Sequence, residues 1–287
     1  MRNEIVVGLD GSRASADALR WALAEAEVSG DKVVALHAWM PLVVASGLRG
    51  VMPAVIEMAD ESQQLLAEQL AAAGCSEHPS VSVETHAVEA AATATLLERA
   101  KGARMLVVGT GQKSRFGRLV LGSTSELCAH EAPCPVVVVP AAVHRADVGA
   151  MYTVVVGADG TDTGEAALRF AAEEAQLHDG VVEAYAMVEA APGDQGLGER
   201  MLLRRIARRL DHSAKRARRA TGARVMAQAF VGKPGSGLCA AAAAADLLVV
   251  GRRSRGALGA LVMGSVADHC VRHSTVPVAV IPAEAGS

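Results

Sequence analysis

Short apolar runs alternate with amphipathic stretches along the whole chain. Residues 4–9 form a continuous run of β-branched and other apolar side chains, which is typical of a parallel strand buried on both faces. The stretch that follows carries apolar residues at helical spacing, in a stripe of Ala18, Leu19, Ala22, Leu23 and Ala26. Strand-like and helix-like segments then alternate, which predicts βαβ units, a parallel sheet and helices on both of its faces.

The pattern of apolar and polar residues continues to the C-terminus and predicts where each strand and helix begins and ends. In the first half it predicts strands at 4–9, 32–39, 81–88, 105–108 and 136–139, with helices at 54–73, 90–101 and 123–131 after the first one. In the second half it predicts strands at 152–156, 181–187, 224–231 and 247–250, and helices at 164–176, 199–220 and 236–244.

The two halves repeat one another. Leu-Val-Val-Gly ends at Gly109 and again at Gly251, and each glycine is followed 13 residues later by a Gly-Ser pair, at Gly122 and Gly264. Residues 5–12 are echoed by 154–161, and 133–140 by 275–282. The chain is therefore a tandem duplication of about 140 residues per half. It predicts a first domain at 1–140, a linker at 141–150 and a second domain at 151–287.

Composition narrows the classes of protein. Apolar residues make up 51% of the chain but aromatic residues only 2%, so the cores are packed from Ala, Val and Leu. The five cysteines have no C-x-x-C spacing, which favours reduced thiols and a cytoplasmic location. We expect no signal peptide and no membrane span. The net charge is −3 and neither half is strongly basic, so we expect no nucleic-acid partner.

The glycine-bearing loop of each half leads from a strand into a helix, an arrangement that holds phosphate through backbone N–H groups and the helix dipole. Ser123 and Glu126 have the spacing of a capping box, as do Ser265 and the acid three residues after it, so each serine is expected to cap its helix. Asp10 and Asp159 precede Gly-Ser and Gly-Thr. They are either turn acids before a helix or contacts to a ribose or base, and both readings stay open.

Three signatures recur in order in each half: a strand ending in Gly-x-Asp-Gly-(Ser/Thr), Leu-Val-Val-Gly with Gly-Ser 13 residues on, and a terminal Pro-Val-x-Val strand. Together they resemble the universal stress protein family, and two copies resemble its tandem form. The resemblance implies an α/β fold of two doubly wound domains, each a five-stranded parallel sheet of order 3-2-1-4-5. It also implies that the two final strands pair within the chain, and it leaves a homodimer and an unidentified protein partner open.

In nucleotide-binding members of that family, ATP lies across the carboxyl ends of strands 1 and 4, the switch point of an open sheet. The resemblance therefore implies ATP or a related adenine nucleotide as ligand, with Mg²⁺ left open. Carried over residue by residue, it places the ligand against Gly8, Asp10, Ala38, Val108, Gly109, Gly122, Ser123 and Thr124 in the first half. In the second half the matching set is Gly157, Asp159, Ala186, Val250, Gly251, Gly264, Ser265 and Val266.

The loops depart from the family pattern at one place. Its middle glycine is Gln112 in the first half and Ser254 in the second. If that position needs a left-handed backbone, a non-glycine residue costs about 1–2 kcal/mol and weakens binding about tenfold. Since glutamine is the bulkier replacement, and since Arg252, Arg253 and Arg255 can pair with phosphate, we expect the second half to bind more strongly.

The leading hypothesis is a nucleotide-binding regulator of the stress response. Its alternative is a nucleotide-free interaction scaffold whose loops are only strand–helix turns. No catalytic set recurs in both halves and the loops lack the G-K-(S/T) ending of a Walker loop, so any ATP hydrolysis is expected to be slow. The Cys and His residues near 128–130 and 269–273 do not repeat as a four-ligand set, and no metal site is expected.

Overall fold

In the computed structural model, the described residues are 3–40, 51–111, 121–141, 151–189, 197–252 and 263–283, with 51–57 and 197 described by their backbone alone. The chain divides into two compact units, and the break between them falls near residue 142. The predicted linker, apart from residue 141, lies outside the described residues. No helix in the described ranges is both long and apolar enough to cross a bilayer.

The first unit alternates strands and helices as the apolar pattern predicts. Its strand order is β3-β2-β1-β4-β5, and the pairs within it are parallel. A short 3₁₀ turn at Cys75–Glu77 follows the second helix. The elements are β1 (Glu4–Leu9), α1 (Arg13–Ser29), β2 (Lys32–Trp39), α2 (Val51–Ala72), β3 (Val83–Glu89), α3 (Ala92–Arg99), β4 (Met105–Gly109), α4 (Ser123–Glu131) and β5 (Val136–Val139).

The second unit repeats this topology. Its strand order is β10-β9-β6-β7-β8, again with parallel pairs, so the predicted order 3-2-1-4-5 is confirmed in both halves. A 3₁₀ turn at Ala242–Ala244 precedes β9. The elements are β6 (Thr153–Gly157), α5 (Asp162–Leu177), β7 (Val181–Val188), α6 (Leu197–Thr221), β8 (Arg224–Val231), α7 (Pro234–Ala241), β9 (Leu247–Gly251), α8 (Ser265–His273) and β10 (Val278–Ile281).

Each core is built from the central strands and the helices on both sheet faces. In the first unit α1 contacts α2, while α3 contacts α4 on the other face. Ile5, Val6 and Val7 of β1 have no exposed surface, because a central parallel strand is covered on both sides. The predicted stripe of α1, Ala18 to Ala26, is buried as well. Burial of this stripe holds α1 against the sheet and fixes where its N-terminus lies.

The capping prediction for α4 and α8 is wrong. The N-cap residues are Gly122 and Gly264, whose carbonyls accept the N–H groups of Glu126 and Asp268 at 2.9 and 3.0 Å, and neither end has a side-chain cap. The helix already begins at the serine, so Glu126 lies one position too late for a capping box. The first amides of α4 and α8 are therefore left without a partner within their helix.

By contrast, α1 and α5 have side-chain caps. Ser12 Oγ accepts the N–H of Ser15 at 3.1 Å, and Thr161 Oγ1 accepts that of Gly164 at 3.2 Å. These are the residues that follow the Asp-Gly pairs at the ends of β1 and β6. The helix ends are thus of two kinds, capped after the first strand of each unit and open after the fourth.

Candidate functional site

Each unit has a cavity at the carboxyl ends of its first and fourth strands. In the first unit the cavity has a volume of about 260 Å³. Hydroxyl side chains from α1, α4 and the end of β4 line it together with small apolar residues. Of the predicted residues, the cavity wall includes Gly8, Asp10, Ala38, Val108, Gly109, Gly122 and Thr124.

The second unit has the larger cavity, about 370 Å³, in the equivalent place. Its wall combines the start of α8 with apolar side chains from β7 and α7, among them Met187 and Leu238. Of the predicted residues, this wall includes Gly157, Asp159, Val250, Gly251, Gly264, Ser265 and Val266.

Two predicted residues lie elsewhere. Ser123 is exposed at the first position of α4 and does not line the first cavity, whereas Thr124 and Ser125 do. Ala186 is 3% exposed and absent from the wall of the second cavity, which instead contains its neighbours Tyr185 and Met187. The placement of Ala186 corrects the sequence-based expectation, whereas the ligand contact expected for Ser123 stays a prediction.

The displacement of Ala186 is a register error of one residue. Gly8 pairs with Leu36 in the first unit, and Gly157 pairs with Tyr185 in the second. The counterpart of Ala38 is therefore Met187, not Ala186. Because side chains alternate between the two faces of a strand, a shift of one residue turns the predicted contact to the opposite face of the sheet.

The glycines that end β4 and β9 are required by packing against the first turn of a helix. A Cβ on Gly109 would lie 2.4 Å from the carbonyl oxygen of Ala14, and one on Gly251 would lie 2.8 Å from Thr163 Cγ2 and 3.0 Å from its carbonyl oxygen. The N-cap glycine differs, because a Cβ on Gly122 would meet no atom within 4 Å. Its backbone (φ −65°, ψ 150°) is also open to any residue. Nothing in the described protein thus demands a glycine at 122.

The two aspartates hold the turns after β1 and β6. Asp10 Oδ1 accepts the N–H of Ser12 at 3.0 Å, and Asp159 Oδ1 accepts the N–H of Thr161 at 3.0 Å and its hydroxyl at 2.6 Å. Burial alone would raise the pKa of Asp10, but hydrogen bonds from Ser12 and Ser15 outweigh burial and leave the pKa below its ordinary value. Both carboxylates also line their cavities, so the turn role and a ligand contact are compatible.

The glycine after each aspartate has a different neighbour in the two units. Gly11 and Gly160 both have φ near +80° (83° and 76°), a conformation that favours glycine. Leu65 Cδ1 lies 3.0 Å from the Cβ position of Gly11, whereas Arg209 lies beside Gly160 and its Nη2 donates to the Gly160 carbonyl at 2.9 Å. The second unit thus places the guanidinium of Arg209 beside the turn after its first strand, whereas the first unit has Leu65 at the equivalent turn.

An aromatic wall distinguishes the second cavity. Tyr185 lines it and donates its hydroxyl to Glu183 at 2.8 Å. Burial, together with this hydrogen bond, raises the pKa of Tyr185 to about 12, so the ring is neutral at physiological pH. Sequence reasoning missed this residue. The signal was available, since the chain has only two tyrosines.

Among the remaining predicted groups, Gln112, Ser254, Arg253 and Arg255 lie outside the described residues. Arg252 is 7% exposed and its N–H donates to the carbonyl of Ile281 at 2.7 Å. Near the end of α8, the rings of His269 and His273 are stacked with centroids 4.1 Å apart.

Comparison with known proteins agrees with the motifs and the topology. The model of the universal stress protein family matches residues 1–140 and 151–282. The chain belongs to the universal stress protein family. A universal stress protein of Mycolicibacterium smegmatis is 30% identical over 294 residues, covering 96% of each chain. One from Mycobacterium tuberculosis is 29% identical over 296 residues, covering 96% of this chain and 95% of the relative.

The fold of this universal stress protein also matches a solved structure over nearly its whole length. The crystal structure of a universal stress protein from Archaeoglobus fulgidus superposes with a TM-score of 0.69 at 21% identity, covering 98% of this chain and 99% of that one. At that identity the likeness concerns the fold.

Proposed function

We propose that this universal stress protein is a nucleotide-binding regulator that binds ATP in the second unit more strongly than in the first, and that it acts in the cytoplasm. One observation carries the proposal. The second cavity brings an uncapped helix N-terminus, at Gly264–Ala267, together with an apolar wall that includes Tyr185 and Leu238. Free amides and the helix dipole favour phosphate, and a flat apolar wall favours a base.

The backbone amides and the side chains around the second cavity have distinct roles in this proposal. The amides of Ser265, Val266 and Ala267 would hold phosphate oxygens, while Tyr185, Met187 and Leu238 would cover the adenine. Gly157 lets Leu238 reach the sheet, since a Cβ there would lie 2.6 Å from Leu238 Cδ1. Asp159 would face the ribose or the base. Bound ATP would supply the negative charge that the helix end attracts.

The preference for the second unit rests on three differences between the cavities. The second cavity is larger, and its volume of about 370 Å³ is within the usual range for small-molecule sites, about 300–1,000 Å³, whereas the first, at about 260 Å³, is below it. Tyr185 and Met187 occupy the register positions of Leu36 and Ala38. Arg209 adds a positive charge beside the loop at Gly160.

Calorimetric titration of the full chain with ATP and Mg²⁺ tests the proposal. We expect Gly264→Ala to weaken ATP binding about tenfold, because a Cβ at the phosphate end costs about 1–3 kcal/mol when it intrudes on a filled site. Gly122→Ala is the matched control in the first unit and should leave the affinity unchanged. Equal loss in both variants would contradict the preference for the second unit.

The alternative proposal is an interaction scaffold that binds no nucleotide. Absence of a binding signal at millimolar ATP, in a chain that is folded by circular dichroism, would favour it. Steady-state ATP turnover near a typical enzyme rate of about 10 per second would instead contradict both the regulator and the scaffold hypotheses.

A further inference from the structure

Two cysteine thiols meet between the last two helices of the second unit. Cys239 belongs to α7 and Cys270 to α8, two helices that pack against each other, and each thiol is close enough to shift the pKa of the other. Cys270 Sγ also lies 3.9 Å from the carbonyl oxygen of Gly235, one helical turn before Cys239. None of the described cysteines forms a disulfide.

The packing of α7 on α8 is close enough to keep these thiols together. A Cβ on Gly235 would lie 2.8 Å from the side chain of His269, so the absence of a side chain at 235 lets the helices approach. Gly235 and Cys239 are four residues apart and share one face of α7. Cys270 directly follows His269 in α8. The contact between the thiols therefore follows from helix packing.

The two thiols differ in access and in acidity. Cys239 is half-buried, whereas Cys270 has no exposed surface. The hydrogen bond with Cys270 lowers the pKa of Cys239 despite its partial burial, while the same contact and burial raise the pKa of Cys270. Cys239 is thus the thiol that solvent reaches and that ionises more readily, and the thiolate is the reactive form.

The first unit lacks this pair. Cys128, in the helix that follows the fourth strand of the first unit, occupies the position equivalent to Cys270. The position equivalent to Cys239 is Leu97. Cys128 and its neighbour Cys134 are both buried, and burial raises the pKa of Cys128 to about 12. The first unit thus offers an unreactive internal comparison.

We propose that Cys239 and Cys270 form an oxidation site, at which a peroxide converts the two thiols into a reversible disulfide that links α7 to α8. The Cys239 thiolate attacks one peroxide oxygen and the O–O bond breaks, which leaves a sulfenic acid and releases water once the leaving hydroxide is protonated. The Cys270 sulfur then attacks the Cys239 sulfur. The S–S bond forms, the S–O bond breaks, and the hydroxyl leaves as a second water with the Cys270 proton. The two thiols supply the two electrons that reduce the peroxide.

The disulfide would join two walls of the second cavity. Helix α7 contributes Pro234 and Leu238 to that cavity, and α8 contributes Ser265 to Ala267. Cys239 directly follows Leu238 in the sequence. The oxidation site does not require that the cavity hold a nucleotide, so its test is independent of ATP binding.

Peptide mapping of the oxidised full chain tests the proposal. The reduced protein is treated with hydrogen peroxide, unfolded, alkylated with iodoacetamide and digested. We expect a cross-linked peptide pair joining Cys239 to Cys270, lighter by two hydrogen atoms and separated again by dithiothreitol. Cys75→Ser, which removes another half-buried thiol, should leave the cross-link unchanged.

Two further variants keep the proposal open to refutation. Cys239→Leu installs the residue of the first unit and should leave Cys270 alkylatable after peroxide treatment. In Cys270→Ala, Cys239 has no partner, so its sulfenic acid should accumulate and be captured by dimedone, whereas the unmodified chain should give no such adduct. Full alkylation of Cys239 after peroxide treatment, or its conversion to sulfinic acid with Cys270 still free, would overturn the proposal.

Discussion

The rings of Tyr185 and Phe230 lie 5.7 Å apart between centroids and are inclined at 38°, with Tyr185 in the wall of the second cavity. Such tilted pairs contribute about 0.5–1.5 kcal/mol beyond the burial of their area. Phe230 remains 43% exposed on β8, so its role is to support the tyrosine from the edge of the sheet. Leu36 occupies the register position of Tyr185 in the first unit, so this ring pair distinguishes the second cavity from the first.

Replacing Tyr185 by the residue of the first unit should weaken nucleotide binding. We expect Tyr185→Leu to lower the ATP affinity of the full chain about threefold to tenfold, because a base loses a flat aromatic face worth about 0.5–1.5 kcal/mol. Calorimetry gives the measurement. The reciprocal variant Leu36→Tyr is the control for a general effect of tyrosine. Unchanged affinity in Tyr185→Leu would exclude this ring from the binding wall.

Replacement by alanine should lower the free energy of unfolding at the strand-end glycine Gly109 but hardly change it at the N-cap glycine Gly122. Gly109→Ala places a Cβ against the Ala14 carbonyl, and we expect a loss of about 1–3 kcal/mol in the free energy of unfolding. Gly122→Ala should change it by less than about 0.5 kcal/mol, because its Cβ meets open space. Urea denaturation of both variants measures the difference. Similar losses would contradict the packing explanation.

A buried ion-pair cluster should make Arg104 indispensable to the first unit. Its guanidinium contacts Glu25 at 2.9 Å and Asp31 at 2.8 Å, and these carboxylates are only 2% and 6% exposed. Arg104→Met should destabilise the chain by about 3–5 kcal/mol, because it removes the guanidinium that pairs with two buried carboxylates. Lys101→Met removes the exposed pair with Glu98 and should cost no more than about 1 kcal/mol. Thermal unfolding of the two variants side by side provides the check.

The turn at Asp10 should contribute to stability in a defined pH range. Hydrogen bonds from Ser12 and Ser15 hold the pKa of Asp10 below its ordinary value, against the opposing effect of burial. The unfolded chain therefore binds this proton more readily, so the contribution is complete above the unfolded pKa of about 4 and disappears as the pH falls through the lower folded pKa. Urea midpoints between pH 6 and pH 3 should fall less steeply in Asp10→Asn. A parallel fall in both proteins would exclude the effect.

The apolar pattern predicts most of the fold because it reports which residues are buried. The strands at 4–9, 32–39 and 224–231 and the helix at 123–131 have the bounds that the sequence indicates. Helix α2 begins at Val51, three residues before the predicted start at 54. The prediction was late because Pro53, which lies in the first turn of the helix, is a residue type that is also common in loops. Long periodic segments are thus predicted well, and their first turns less well.

The candidate site is less predictable because it depends on register and on approaches between distant segments. The prediction of Ala186 was wrong by one residue of strand register, and the capping prediction for Ser123 was wrong because the N-cap residue is Gly122. The contact of Arg209 with Gly160 joins positions 49 residues apart, and that of Cys239 with Cys270 joins two helices. No local pattern encodes such meetings. Comparing the two units locates them once the structure gives the register.

The close fit of Gly109 and Gly251 against the helices that follow β1 and β6 affects how family patterns should be used. A related domain that no longer bound phosphate would still need this glycine, because the neighbouring helix leaves no room for a side chain at that position. Its presence in a sequence therefore marks inheritance of the architecture. Position 122 differs, because no described residue lies within 4 Å of a Cβ there, so the described protein imposes no packing requirement for glycine at that position.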